Sequence, residues 1–103
     1  MELKLDLDKF DEYQRAFIRE IVETSMIKLI EAGIEGQQLE DATAGVAFSI
    51  ASIIDDTTKI ESNSAEVKPF LTFRENEEEL IHCGENSYTY DQVMGVMKKL
   101  FPK

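Results

Sequence analysis

The sequence has few of the residues that most often carry catalysis or cross-links. It contains one cysteine, one histidine and no tryptophan. A single cysteine cannot form a disulfide within the chain, and no apolar leader precedes the first charged residues, so we expect a cytoplasmic protein. His82 and Cys83 are neighbours that point to opposite faces of a strand, which excludes a Cys–His nucleophile pair and a zinc site of the usual kind.

Basic residues are also scarce. Eleven Lys and Arg stand against 21 Asp and Glu, which gives a formal net charge of -10 at pH 7. Nucleic-acid phosphates and anionic membrane surfaces attract cationic proteins, so we expect no nucleic acid and no membrane as partner. The uncharged run 42–54 is too short to cross a bilayer, which takes about 20 residues. The glycines are scattered and form no phosphate-binding loop.

The first half of the chain shows a strand pattern and then a helix pattern. Residues 1–8 alternate between apolar and charged, which puts Leu3, Leu5 and Leu7 on one face. This period of two predicts a half-buried strand that pairs within the chain or swaps to a second copy. Residues 9–32 contain no Pro or Gly, and their apolar residues recur at helical spacing in two stripes.

The segment 39–54 has the clearest helical pattern. Its large apolar residues, among them Val46 and Ile50, fall on one narrow face, which we expect to fill the core. The opposite face is made of small residues around one aromatic ring and would let a second helix approach closely. We therefore predict a homodimer, because the chain has too little else to cover both faces. The predicted interface comprises Ala44, Gly45, Phe48, Ala51 and Ser52.

The second half predicts short strands and one more helix. Residues 59–66 are polar and indicate a surface loop, whereas 67–73 and 79–83 have the composition of a β-hairpin. Thr89 and Gln92 have the spacing of a capping box before a final helix. The predicted fold is α+β in the order β-α-α-β-β-α, with two long helices on a small antiparallel sheet and a short C-terminal helix. The length of 103 residues suits a single domain, 1–103.

Two acidic features indicate contact with a partner. Asp55 and Asp56 follow a helix C-terminus, where the helix dipole disfavours negative charge. They either cap the following turn, contact a partner or contribute to a metal site. No base occurs from residue 75 to 97, and such a surface either attracts a basic protein or serves solubility alone. The predicted partner-binding residues are Asp55, Asp56, Glu75, Glu77, Glu78 and Glu79.

These patterns favour binding over catalysis. We assign no catalytic residue and no metal ligand, and we expect no cofactor. The leading hypothesis is a small acidic protein that forms homodimers or binds a protein partner. The alternative is an acidic inhibitor or immunity-type protein that neutralises a basic protein. A small enzyme that needs a divalent cation is the third hypothesis.

Overall fold

In the computed structural model, which describes residues 1–103, three helices pack together and the first of them lies against a small sheet. The elements are β1 (Glu2–Leu5), α1 (Leu7–Glu31), α2 (Gly36–Ile54), β2 (Ile60–Ser62), β3 (Ala65–Val67), β4 (Phe73–Arg74), β5 (Glu79–His82) and α3 (Thr89–Leu100). The predicted α+β class is confirmed, with two long helices, a short C-terminal helix and the antiparallel β4–β5 pair.

The two long helices begin and end at residues whose local chemistry favours a helix boundary. Asp6 is the N-cap of α1, where its Oδ1 accepts a hydrogen bond from the Lys9 amide at 3.0 Å. The helix thus begins two residues before the predicted start at residue 9. Gly33 has a φ of 88°, and the Ile34 amide bonds the Leu29 carbonyl at 3.0 Å, which closes α1 in a Schellman-type turn.

The main sheet has three strands in the order β1-β5-β4. β1 runs parallel to β5, with Leu3 opposite Leu80 and Leu5 opposite His82, and β4 runs antiparallel to β5. The first strand therefore pairs within the chain, which was one of its two predicted outcomes. A parallel pair needs a crossover connection, and the whole α1–α2 hairpin lies within that connection.

The segment between α2 and β4 differs from its prediction. The expected loop at 59–66 contains the antiparallel pair β2–β3. The expected strand over 67–73 is reduced to its ends, because β3 stops at Val67 and β4 starts at Phe73. Pro69 lies in the gap, and a proline has no amide hydrogen to donate to a strand ladder.

The core lies where the three helices meet. It is formed by side chains from each of them: Ile18, Val22, Ala47, Ala51, Val93, Val96 and Met97. The sheet attaches to the first half of α1 through Phe73, whose ring centroid lies 5.3 Å from that of Phe10 and 5.8 Å from that of Phe17. Only 15 of the 103 residues are buried, so the chain encloses a thin core for its length.

Candidate interaction surfaces

Part of the small-residue face of α2 packs inside the protein. Ala51 is fully buried in the core, and Ala44 and Phe48 pack against that core from its edge. The Phe48 ring lies 4.6 Å from the Tyr90 ring at the start of α3. Small side chains do allow close helix packing here, but the helices that approach are α1 and α3 of the same chain. Ala51 therefore has no exposed surface to offer a second copy, which corrects its predicted place in the dimer interface, whereas Ala44 and Phe48 keep a partly exposed surface.

The two other predicted interface residues remain at or near the surface. Gly45 is exposed, and a Cβ added to it would meet no atom within 4 Å. Ser52 is half-buried, and its carbonyl accepts hydrogen bonds from the amide and hydroxyl of Thr57 at 2.9 and 3.1 Å. These two positions are too few to form an interface without the buried residues between them.

A different side of α2, which carries large apolar residues, is exposed instead. Leu39, Val46 and Ile53 are spaced by seven residues and so share one side of the helix. Val46 and Ile53 are both exposed, although their face was expected to fill the core. The helix is apolar over more of its circumference than α1 and α3 can cover, and this flank lies outside their contact.

Asp55 is the C-cap of α2, and its carboxylate lies at the N-terminus of α3. It is 4% exposed and accepts four hydrogen bonds: from the Ser87 hydroxyl, the Thr89 amide and hydroxyl, and the Tyr90 amide, at 2.6 to 3.0 Å. A carboxylate is favoured at a helix N-terminus, where unpaired amides and the helix dipole are both satisfied. The prediction that Asp55 binds a partner does not fit this burial, and the expected capping box of Thr89 and Gln92 is replaced by this capping from α2.

Asp56 also has a local structural role. Its φ is 61°, the left-handed conformation in which aspartate is better tolerated than most residues. The Thr57 amide bonds the Ser52 carbonyl at 2.9 Å across it, so Asp56 is the turn residue that ends α2. Its side chain is half-buried. The two aspartates, which the dipole of α2 disfavours, thus have separate structural roles: Asp56 ends α2, and Asp55 caps the N-terminus of α3.

A second polar contact fixes α3 to α1. The buried Gln14 accepts a hydrogen bond from the Tyr88 amide at 2.7 Å, and the Tyr88 hydroxyl donates to Asp11 at 2.9 Å. Burial, reinforced by that bond to Asp11, raises the pKa of the Tyr88 hydroxyl above its usual value. A raised pKa keeps the hydroxyl protonated, which suits a structural donor.

The four predicted glutamates of the β4–β5 hairpin divide into two kinds. Glu75 accepts hydrogen bonds from Lys9 Nζ at 2.5 Å and from the Tyr13 hydroxyl at 3.0 Å. The hydrogen bond from Lys9 and then that from Tyr13 lower the pKa of the Glu75 carboxyl. Glu79 accepts from the Asn76 side chain at 2.7 Å. Glu77 and Glu78 are exposed at the tip, and Glu2 lies opposite Glu79, so acidic side chains gather at this end of the sheet.

The outer face of the sheet, opposite α1, is an apolar feature that the chain leaves partly uncovered. Neighbouring strands place paired residues on the same side, so Leu3, Leu5, Leu80 and His82 share this face. Phe70 lies over His82, with ring centroids 6.3 Å apart. Leu3, Leu5 and Phe70 are 62%, 58% and 48% exposed. The first strand was predicted to be half-buried, and this is wrong because no element packs on its apolar side.

The histidine and the cysteine lie in different surroundings, although β5 ends at His82 and Cys83 follows the strand and is not part of it. His82 Nδ1 accepts a hydrogen bond from the Gly84 amide at 3.0 Å on the outer side. Cys83 is buried, and its Sγ lies 3.1 Å from the Glu85 carbonyl. No group of three or more His, Cys, Asp and Glu side chains is placed to hold a metal ion.

A groove of about 480 Å³ runs between α1 and α3. Arg19 and Lys99 line it, together with Glu23 and Asp91, so both signs of charge face the same space. Gly95 and Val96 also line it.

None of the helices has the length and hydropathy of a membrane span.

No family model, curated protein or solved structure matches this chain. The candidate surfaces are therefore defined by their own geometry: the outer face of the sheet, the exposed flank of α2 and the acidic end at Glu77 and Glu78.

Proposed function

We propose that this protein is a non-catalytic module that forms homodimers or binds a protein partner through the outer face of its sheet. The observation that supports this proposal is the exposure of Leu3, Leu5 and Phe70 on one face of the three-stranded sheet. Sheets of this size usually bury one face against helices and present polar residues on the other. Here the inner face packs on α1, and the outer face is also apolar.

The balance of the whole molecule supports the same proposal. Thirteen large apolar side chains are exposed, whereas ten apolar residues are buried. Monomeric proteins rarely expose large contiguous apolar patches, and a second protein is the usual cover for one. The acidic surface elsewhere keeps a molecule with such a patch in solution.

Light scattering on a size-exclusion column tests this proposal over a range of concentrations. A mass of about 24 kDa, twice the 11.8 kDa of one chain, would support the homodimer. Phe70→Ser should then lower the dimer fraction, and Lys68→Ser is the matched control because it alters an exposed polar residue in the same segment. A mass of 11.8 kDa at every concentration would overturn the homodimeric form of the proposal.

The second candidate is an acidic inhibitor of a basic protein, with the acidic end of the sheet as its contact. The pairing of Glu2 with Glu79 favours it, because like charges opposite each other cost stability unless a cation is near. Glu77 and Glu78 extend the same end and are exposed. Asp55 is not part of this surface, since its carboxylate is occupied within the fold.

Capture of basic proteins at low and at high salt tests this candidate. Binding that depends on the acidic end should be lost in the Glu77→Gln/Glu78→Gln variant and should weaken steeply with salt. Glu31→Gln is a suitable control because Glu31 is an exposed glutamate at the end of α1. Binding that resists salt and the double substitution would count against the inhibitor.

A further inference from the structure

The free edge of β1 carries unpaired backbone groups. The amides of Glu2 and Asp6 donate to the Glu78 and His82 carbonyls of the β5 side, at 2.8 and 3.2 Å. Backbone groups alternate in direction along a strand, so the amide and carbonyl of Leu3 and of Leu5 point away from β5. β1 is the end strand of the sheet, and all four of its residues are exposed. This edge is a template for another strand.

The side chains of β1 are complementary to themselves in one antiparallel register. Pairing about a two-fold axis at Leu3 places Leu3 opposite Leu3 of the second copy and Glu2 opposite Lys4 of the second copy, twice. It also places Leu5 opposite Met1. Each leucine then stays on the apolar outer face, and the outward-pointing amides and carbonyls of Leu3 meet one another as a hydrogen-bonded pair.

The neighbouring registers lack this complementarity. An axis at Lys4 would oppose Lys4 to Lys4, and an axis at Glu2 would oppose Glu2 to Glu2, which places like charges in contact. An axis at Leu5 would oppose Lys4 to Asp6, but the helix α1 begins at Leu7 and leaves fewer extended residues to pair. Registers shifted by one residue would direct leucines to the charged side.

We propose that two copies of this chain associate through antiparallel pairing of their β1 strands about a two-fold axis at Leu3, which joins the two sheets into one. The proposal rests on the homodimeric form of the proposed function. It places the contact at the free edge of β1, beside the outer face, so the apolar outer faces of the two sheets become continuous. The net charge of -10 on each copy opposes association in general. In this register Glu2 and Lys4 attract each other across the axis twice, which offsets part of that repulsion at the contact.

Charge reversal tests the register. Glu2→Lys and Lys4→Glu should each weaken the dimer about tenfold, because each replaces two attractive pairs by two repulsive ones. Mixing the two variants should restore a dimer that contains one copy of each, since every pair across the axis then joins a lysine to a glutamate. Light scattering and ion-exchange chromatography of the mixture measure this. Both positions are exposed, so Lys4→Glu should keep the melting temperature of the monomeric fold. Glu2→Lys should not lower that temperature, because it replaces the like-charge pair of Glu2 and Glu79 by an attractive one.

Cysteine cross-linking tests the same axis without changing charge. In a Cys83→Ser background, Leu3→Cys places two thiols opposite each other with Cα atoms about 5.5 Å apart, within the range of a disulfide. Leu5→Cys is the matched control, because its two copies would be about 14 Å apart in this register. Oxidation should therefore cross-link Leu3→Cys and not Leu5→Cys.

The outcomes separate this proposal from the one on which it rests. A dimeric wild-type protein that shows neither cross-linking of Leu3→Cys nor pairing of the mixed charge variants would overturn the β1 contact and leave the homodimer intact. Cross-linking of Leu5→Cys alone would place the axis at Leu5 and would also overturn the register. A wild-type protein that is monomeric at every concentration would overturn both proposals.

Discussion

The start of α3 and the outer face of the sheet differ in how far the chain itself supplies partners for their side chains and backbone groups. At the start of α3, Asp55 lies 4% exposed and satisfies donors from Ser87, Thr89 and Tyr90. On the outer face, Leu3 and Leu5 are more than half exposed, and the free backbone edge of β1 lies beside them. One region is a buried carboxylate with all its partners in the chain, and the other is an apolar strand with an open side.

This difference reverses the usual guide to function. A charged pair at a helix C-terminus is a local anomaly, and anomalies often mark functional sites. Here the fold itself explains the anomaly. The C-terminus of α2 lies beside the N-terminus of α3, and the carboxylate of the C-cap residue Asp55 accepts hydrogen bonds from the first amides of α3. An alternating strand, by contrast, is an ordinary pattern that suggests only a sheet. The open face became apparent when the structure showed which elements pack on that strand.

The largest effect on stability should come from placing a charge in the core between the three helices. Ala51→Glu should destabilise the fold by about 3–5 kcal/mol, because Ala51 is fully buried and the core offers no cation to pair with a carboxylate. Leu3→Glu should cost less than about 1 kcal/mol, since Leu3 is 62% exposed. Denaturant titration of both variants measures the contrast. A folded, stable Ala51→Glu protein would show that the small-residue face of α2 is accessible after all.

Removal of the Asp55 carboxylate should have the next largest effect. Asp55→Ala leaves the Thr89 and Tyr90 amides without an acceptor and removes the shorter hydrogen bond of the Ser87 hydroxyl, and we expect a loss of about 3 kcal/mol. Asp56→Asn is the matched control, because asparagine also tolerates the left-handed conformation, and it should change stability by less than about 0.5 kcal/mol. Equal effects at both positions would contradict the capping role of Asp55.

For the region around the start of α3, the sequence predicted the helices and strands better than it predicted the contacts between them. The helices, the β5 strand and the final helix follow from periodicity and turn residues, which are local properties. The contact between Asp55 and α3 joins residues more than 30 positions apart and depends on the angle at which two helices meet. Neither spacing nor charge along the chain reports that angle, so the carboxylate could be recognised as unusual but not assigned its partner.

The faces of α2 were harder to predict, and the reason is steric. Large residues on one side and small residues on the other are consistent with either side facing inward. α2 contacts two helices of its own chain, so its small residues are needed inside, where Ala47 and Ala51 allow both α1 and α3 to approach. Val46 and Ile53 are left outside for the same reason. Composition alone does not state how many neighbours a helix has.

Gly45 offers a gentler test of which side of α2 is open. It lies within the helix at an exposed position, and a Cβ there would meet no neighbouring atom. Gly45→Ala should therefore stabilise the protein by about 0.5–1 kcal/mol, because alanine loses less backbone entropy in a helix. The same substitution at a close helix–helix contact would weaken association. A lower dimer fraction in Gly45→Ala, measured by light scattering, would indicate that this face of α2 forms the dimer interface, as first predicted.

The smallest effect concerns the hairpin that bounds the open face, and it depends on pH. Folding lowers the pKa of the Glu75 carboxyl, through the hydrogen bonds from Lys9 and then Tyr13. A lowered pKa in the folded state means that the ionised form is bound more tightly there than in the unfolded chain. The stability that Glu75 contributes is thus complete above the ordinary carboxyl pKa of 4.5 and is lost as pH falls through the lower folded value.

Folding also raises the pKa of Lys9, mainly through the hydrogen bond to Glu75, so the same pair loses its contribution at the other extreme. That part is complete below the ordinary lysine pKa of 10.5 and is lost as pH rises through the higher folded value. Wild type and Glu75→Gln should therefore differ slightly in denaturation midpoint at neutral pH and converge below pH 4.5. Glu77→Gln, at an exposed position on the same hairpin, is the matched control. A difference that persists in acid would mean that Glu75 holds the hairpin to α1 by packing and not by its charge.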